Sequence, residues 1–239
     1  MAEVPGLDEH YTLEDHQFRA RDPYAMGKYR LTVRWLQASS PAGATLYNVG
    51  CGAGLFNEVA AAAGFAVVGF EPDPAAFELA AASARGWTVV NKGLGELEDE
   101  PKAAIVVVHD VLEHIEDDLA ATAQLRRLVR PDGVLAISVP ALPSLFGIHD
   151  EQLGHYRRYT KASLRAAVGD QFTFRRLRYY GMSFVPVTWW LSRVRRAPYP
   201  VDEATGSGIL GRAMRTVTAI ESRAPTPIGT SLVGLLQPR

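Results

Sequence analysis

The sequence predicts an α/β protein, a doubly wound parallel sheet with helices on both faces, and three observations predict it. Short apolar runs recur at Thr45–Val49, Ala66–Phe70, Thr88–Val90, Ala103–His109 and 134–139. Such unbroken runs are what strands buried on both faces look like. Helical patterns at 55–63, 74–84 and 117–129 separate them, and this alternation is the signature of a parallel sheet. The 239 residues are 47% hydrophobic and 21% charged, which suits one globular domain that needs neither a metal nor a disulfide to hold its core.

The elements follow in order. Residues 13–20 and 24–38 read as amphipathic helices; the second has Pro23 at its start, where a missing N–H costs little, and stops before Ser39-Ser40-Pro41. The five strands and three helices come next, with Arg130-Pro131-Asp132-Gly133 as a turn before the fifth strand. After Pro140 the rhythm breaks, and residues 141–159 are rich in His, Tyr, Arg and Asp without clean periodicity. Thr160 caps a short helix, Lys161–Val168, and Phe172–Tyr180 alternates as a strand. An apolar and then arginine-rich stretch, 182–196, leads into a Pro/Gly-containing linker at 197–208. A helix at 209–223 and a strand at 231–236 follow. The insertions fall near the carboxyl ends of the strands, where open α/β sheets bind ligands.

The formal net charge of −1 hides a split. Residues 1–150 hold 11 Lys/Arg against 21 Asp/Glu, and residues 151–239 hold 14 against 5. One compact domain can pair an acidic half with a basic one, or each half can face a different partner. The acidic first half speaks against nucleic acid, whose phosphates it would repel. The start of the sequence, MAEVPGLDEH, is polar and acidic, unlike a secretory signal, and the most apolar stretch, residues 182–191, is about half a membrane span. A cytoplasmic location is expected. The lone Cys51 excludes an internal disulfide, and the six histidines show no ligand spacing, so no metal is expected.

The strongest local signal is Leu46-Tyr47-Asn48-Val49-Gly50-Cys51-Gly52-Ala53-Gly54-Leu55-Phe56, a buried strand that runs into three alternate glycines and opens a helix. Glycine lets the backbone turn sharply and approach a ligand, and the helix start offers unpaired N–H groups. A dinucleotide loop would need its third glycine at residue 55, which is leucine, so the spacing argues against NAD or FAD. Glu71, 17 residues past Gly54, ends the next strand where an acidic side chain can accept both hydroxyls of a ribose.

Further along, His109-Asp110-Val111-Leu112-Glu113-His114-Ile115 follows the fourth strand. With Gly50–Gly54, Glu71 and the Arg130–Gly133 turn, this run resembles the class I S-adenosylmethionine-dependent methyltransferases over residues 40–140. The resemblance implies a Rossmann-like, seven-stranded sheet, mostly parallel with its last strand antiparallel, plus N-terminal helices and inserted cap segments. It divides the single domain into entry helices (1–40), a cofactor-binding core (41–140), substrate-side segments with strand six (141–226) and the last strand (227–239). Pro227-Ile228-Gly229-Thr230-Ser231-Leu232, His16-Gln17-Phe18-Arg19-Ala20-Arg21 and Asp150-Glu151-Gln152-Leu153-Gly154-His155-Tyr156-Arg157-Arg158-Tyr159 are similar to segments of a bacterial small-molecule subgroup.

The resemblance implies S-adenosyl-L-methionine as cofactor, with S-adenosyl-L-homocysteine as product. It places cofactor contacts at Gly50, Cys51, Gly52, Gly54, Glu71, Pro72, Gly93, Leu94, Asp110 and Val111, and substrate contacts at His16, Asp150, Tyr156 and Arg157. Three positions depart from the family pattern, one of them Ala104, which replaces a common acidic residue before strand four without evident consequence. Asn48 stands where Asp or Glu is usual, and Leu94 where an Asp often meets the adenine amino group. Among the histidines of the substrate loops, His155 or His149 is expected to face the transferred methyl as a base, with Asp150 to orient it; His109 is a further candidate, and His114 reads as a pocket wall. Cys51 reads as a small residue that the tight loop permits.

Three functions follow as expectations. The first is methylation of a small, anionic metabolite, on oxygen before nitrogen or carbon, because loop histidines suit deprotonation of a hydroxyl. The second is a peripheral membrane methyltransferase for a lipid-linked or isoprenoid substrate, since Phe184, Trp189 and Trp190 lie beside Arg193, Arg195 and Arg196. The third is a non-catalytic cofactor-binding or partner-stabilising protein, motivated by Asn48 and Leu94.

Overall fold

The computed structural model describes residues 22–196 and 208–239. Its elements are α1 (Pro23–Gln37), β1 (Thr45–Val49), α2 (Leu55–Ala62), β2 (Ala66–Phe70), α3 (Pro74–Ser83), β3 (Thr88–Val90), β4 (Ala103–His109), α4 (Asp118–Leu128), β5 (Val129–Pro140), α5 (Ile148–Gln152), α6 (Lys161–Val168), β6 (Phe172–Tyr180), α7 (Val185–Trp190), α8 (Gly208–Arg223) and β7 (Ser231–Pro238). The expected entry helix at 13–20 lies outside the described residues.

The strands form one seven-stranded sheet in the order β3-β2-β1-β4-β5-β7-β6. Strands β1 to β5 pair in parallel, and β7 runs antiparallel between β5 and β6. The order reverses between β1 and β4, which opens a crevice at their carboxyl ends.

Alternation along each strand feeds two cores. Val106 and Val108 of β4 and Leu135, Ile137 and Val139 of β5 join Leu125 and Leu128 of α4 and Leu164 and Val168 of α6. Ile105, Val107, Val134 and Ala136 point the other way, to Leu31 and Leu36 of α1 and Phe56 and Ala60 of α2. Each fully buried Leu or Ile side chain contributes about 1.5–3 kcal/mol.

Local chemistry sets the boundaries. Asp22 caps α1 by accepting from the Tyr24 and Ala25 amides at 2.9 and 3.2 Å, with Pro23 at the first helical position. Thr160 caps α6 through the Ser163 amide at 3.0 Å, as its sequence predicts. The turn at Arg130–Gly133 does not precede β5; it lies inside it. Ala103 pairs with Val129 and Ile105 with Val134, so the four residues bulge out opposite Ala104. Gly133 permits this, because a Cβ there would lie 2.7 Å from the Ala104 carbonyl oxygen. Residues 182–196 form a short 3-10 turn (Met182–Phe184), then α7, then a π-helical turn (Leu191–Arg195).

Candidate active site

The glycine loop is shaped by its backbone. Gly50, Gly52 and Gly54 all have positive φ (69, 53 and 88°), a region that side chains with a Cβ rarely enter. At Gly50 a Cβ would also lie 2.5 Å from a Val111 methyl, so the loop after β4 packs directly on the loop after β1. Glu71, buried at the end of β2, accepts from the Gly52 amide at 2.6 Å and the Asp73 amide at 3.0 Å. Burial pushes its carboxyl above the ordinary range, and those two N–H groups oppose the shift. Asn91 donates to the Glu71 and Pro72 carbonyls at 2.8 and 3.1 Å and so fixes the bend that carries Glu71.

Gly93 and Leu94 start the 3-10 turn Leu94–Glu96; the Gly93 amide is held by Glu96 at 2.7 Å, and Leu94 packs partly against the core. Asn48 donates to Asn57 of α2 at 2.8 Å in the interior, so it is committed to holding α2. Cys51 is buried, and burial together with the Glu71 charge pushes its thiol up to about 12. It is chemically inert at neutral pH.

Asp110 ends β4 with φ 55° and accepts from Ser138 Oγ at 3.1 Å and from Lys28 Nζ of α1. Burial would lower the Lys28 ammonium, but the Asp110 carboxylate more than offsets this and raises it. Asp110 is itself held below the usual carboxylate range: burial opposes ionisation and the Lys28 charge overcomes it. Asp110, expected as a cofactor contact, is thus one half of an ion pair. Sequence reasoning missed Lys28, although Tyr24, Lys28, Leu31 and Trp35 follow helical spacing and a lysine in such a stripe is buried only with a partner.

His109 is not a base. It lies in the core beside α1, stacked on Tyr29 (5.3 Å between ring centres) and edge-on to Phe56 (4.6 Å), with Nε2 3.2 Å from the Thr32 hydroxyl. Burial and the Lys28 charge push its imidazole down to about 3, so it is neutral.

The substrate-side loops build a different kind of structure. Asp150, fully buried on α5, accepts from the Gly147 amide (3.0 Å), His155 Nδ1 (2.9 Å) and Arg158 Nε (2.8 Å). Burial works against its ionisation, but the hydrogen bonds from His155, Arg158 and the Gly147 amide, with the Arg158 charge, hold it below the ordinary range. The His155 ring stands edge-on to His114, with 4.6 Å between centres. The 3-10 turn Leu112–His114 brings Glu113 to the same place, and one ligand atom each from Glu113, His114 and His155 lie within 4.8 Å of one another. Burial and the Asp110 charge push Glu113 well above the carboxylate range; burial and the neighbouring His155 push His114 down to about 4. The expectation of no ligand grouping, drawn from spacing, is corrected here: His155 is 41 residues from His114, and only the fold unites them.

The other expected residues take separate places. His149 is on α5 beside Asp150 but is not one of that trio. Tyr156 is exposed, with the Arg157 guanidinium 5.6 Å from its ring centre. Arg157 pairs with Asp118 at 3.1 Å and donates to the Glu116 carbonyl at 2.7 Å. His16 lies outside the described residues. Arginines of the basic half serve the fold elsewhere too: Arg178 donates to the Glu221 and Ala224 carbonyls at the end of α8, joined there by Arg34 on Ser222, and Arg193 donates to the Ser144 carbonyl at 2.8 Å.

Beside this geometry, a crevice at the β1/β4 switch point with a glycine loop and a buried acid at the end of β2, residues 18–195 match the sequence profile of the methyltransferase-domain family. The chain belongs to the methyltransferase-domain family. A methyltransferase of Mycobacterium marinum, described as uncharacterized, is 33% identical over 138 residues, covering 56% of this chain and 54% of its own length. One of Mycobacterium leprae is 27% identical over 186 residues, covering 72% and 68%. This methyltransferase domain thus spans about half the length of the first of these relatives.

The N-methyltransferase NodS of Bradyrhizobium japonicum, solved with S-adenosyl-L-homocysteine, superposes with a TM-score of 0.65 at 13% identity over 98% of this chain and 97% of its own. Magnesium protoporphyrin IX methyltransferase from Synechocystis, with the same ligand, gives 0.56 at 22% identity over 71% and 89%. At these identities the likeness is one of fold. The residues present fit S-adenosylmethionine, the donor whose product both of these neighbours hold: Glu71 offers a carboxylate at the end of β2, and the loop Gly50–Gly54 has no side chain bulkier than Cys51 to block approach.

Proposed function

We propose that the chain methylates a hydroxyl of a small-molecule acceptor. The observation that carries this reading is the His155–Asp150 hydrogen bond at 2.9 Å, within a cluster joined by Glu113 and His114 to the loop that packs on Gly50. When bound, S-adenosylmethionine supplies a methyl already activated as a sulfonium, so the chain has only to orient the acceptor and take its proton. Glu71 would accept from the ribose hydroxyls, and the Gly50–Gly54 backbone would lie against the remainder of the cofactor. Asp150 holds the proton of His155 on Nδ1, so that Nε2 is left as the proton acceptor for the hydroxyl. Arg158 and the Gly147 amide fix Asp150 and with it the plane of the imidazole.

The His155→Ala variant is expected to lose about 10²–10⁴-fold in kcat, the usual worth of a general base, while its affinity for S-adenosylmethionine by calorimetry stays that of the parent. Unchanged turnover would remove His155 from the mechanism. Absence of cofactor binding by the parent chain would favour a non-catalytic, partner-stabilising protein.

A second reading, that the acceptor is lipid-linked and reached at a membrane surface, is supported by one exposed patch. Val187, Trp189, Trp190 and Val194 are 57, 50, 44 and 58% exposed on α7 and the turn after it, while Thr188 and Leu191 between them are buried. Arg193, Arg195 and Arg196 flank them, with the Arg195 guanidinium 5.7 Å from the Trp190 ring centre. Aromatic and basic residues side by side suit the boundary of an anionic bilayer. No helix among the described residues is long and apolar enough to cross a membrane. Sedimentation with anionic liposomes at low salt is expected to carry the parent down and to leave a Trp189→Ala/Trp190→Ala variant in solution. No binding by the parent removes this reading.

A further inference from the structure

Glu113 presents a problem that the methyl-transfer reading does not answer. Its side chain is fully buried, and neither carboxylate oxygen has a hydrogen-bond partner. Buried polar groups are almost always paired, and a buried carboxylate without a partner is among the costliest of exceptions. Its surroundings hold the two groups best suited to share a positive ion with it. Ring nitrogens of His114 and His155 lie within 4.8 Å of a Glu113 oxygen and of each other.

His155 is also prepared as a ligand. Its Nδ1 is engaged by Asp150 at 2.9 Å, and Asp150 is anchored by Arg158 and the Gly147 amide. A carboxylate behind a histidine is the arrangement that orients a metal-binding imidazole and raises its basicity, leaving Nε2 to ligate. His114 is the exposed member of the trio and Glu113 the buried one, so the site is open on one side only.

We propose that Glu113, His114 and His155 form a binding site for a divalent first-row cation of the zinc class. Two imidazoles and one carboxylate suit such an ion, whereas calcium and magnesium seek sets made mostly of oxygen. Three protein ligands leave a coordination position vacant, as in zinc sites that bind water or substrate. The site rests on the reading above only for the identity of the ligand at that fourth position, an acceptor oxygen. The ion and the proton compete for the same atom, Nε2 of His155: with the ion bound His155 is a ligand rather than the base, so the base role belongs to the metal-free chain.

The test uses the full chain, stripped with a chelator, dialysed and titrated with zinc chloride by calorimetry, with thermal unfolding measured in parallel. One ion per chain is expected, with the unfolding midpoint raised by saturating zinc. Glu113→Gln and His114→Ala are each expected to weaken binding by about tenfold or more and to abolish the zinc-dependent rise. Glu113→Gln keeps the size of a buried side chain that has no hydrogen-bond partner to lose, so the stripped variant should unfold no earlier than the stripped parent; this separates loss of the ion from loss of the fold. Failure of the parent to saturate below millimolar zinc overturns the site, as does parent-like affinity in both variants. If zinc fails to bind while His155→Ala still abolishes turnover, the metal site falls and the base stands. If zinc binds and the stripped parent still turns over, the site stands and methyl transfer does not require it.

Discussion

The loop after β1 and the segment between Ala141 and Tyr159 meet at one crevice but are built by different means. The first is a backbone device: three glycines with positive φ, the Gly52 amide donated to Glu71, and a valine packed where a Cβ would collide. The second is a side-chain device: one buried carboxylate, Asp150, gathers an amide, an imidazole and a guanidinium. A backbone device tolerates exchange of most side chains around it and fails when a glycine is replaced. A side-chain device fails when any one partner is removed, because the rest are left buried and charged.

The difference can be broken most severely at Arg158. Arg158→Ala leaves Asp150 buried with only His155 and an amide, and is expected to cost about 3–5 kcal/mol of stability, read as a lower urea midpoint; a loss under 1 kcal/mol, the scale of an exposed pair, would show the network to be dispensable. On the other side of the crevice, Glu71→Ala removes a charged acceptor of hydrogen bonds, each worth about 1.5–3 kcal/mol. The dissociation constant for S-adenosylmethionine should rise roughly tenfold to a hundredfold, with kcat at saturation nearly unchanged. A drop in kcat alone would move Glu71 from binding to chemistry.

The smallest effect near neutral pH belongs to His109, behind both devices. Its folded value of about 3 lies below the ordinary 6.5, so as pH falls the unfolded chain takes the proton first. The stability from the neutral ring is complete above pH 6.5 and drains away from there down to about 3, by up to ~1.4 kcal/mol per pH unit. His109→Gln cannot titrate, and its unfolding free energy should fall less steeply than the parent's between pH 6.5 and 5. Parallel slopes would place His109 in water.

Much of the sheet was legible because burial on both faces leaves an unbroken apolar run, as at Ala103–His109. The bulge at Arg130–Gly133 was not, because a turn inside a strand and a turn before one use the same residues; only the pairing of Val129 with Ala103 tells them apart. Period-two alternation would have placed His109 in the core, since it shares a face with Ile105 and Val107. The trio of Glu113, His114 and His155 had no such signal: two ligands are adjacent, the third follows a whole helix and strand later, and no periodicity links them. Motif order thus revealed the cofactor loop, whose information is local, and left the side-chain cluster to the fold.

The inert thiol of Cys51 has a practical side. A sequence with a single cysteine, buried and ionising near 12, is already suited to selective labelling. A cysteine placed at exposed Val187 or Ile228 would react with a maleimide dye or spin label at neutral pH while Cys51 stays silent, so that movement of α7 or of the turn before β7 can be followed without first removing the native cysteine.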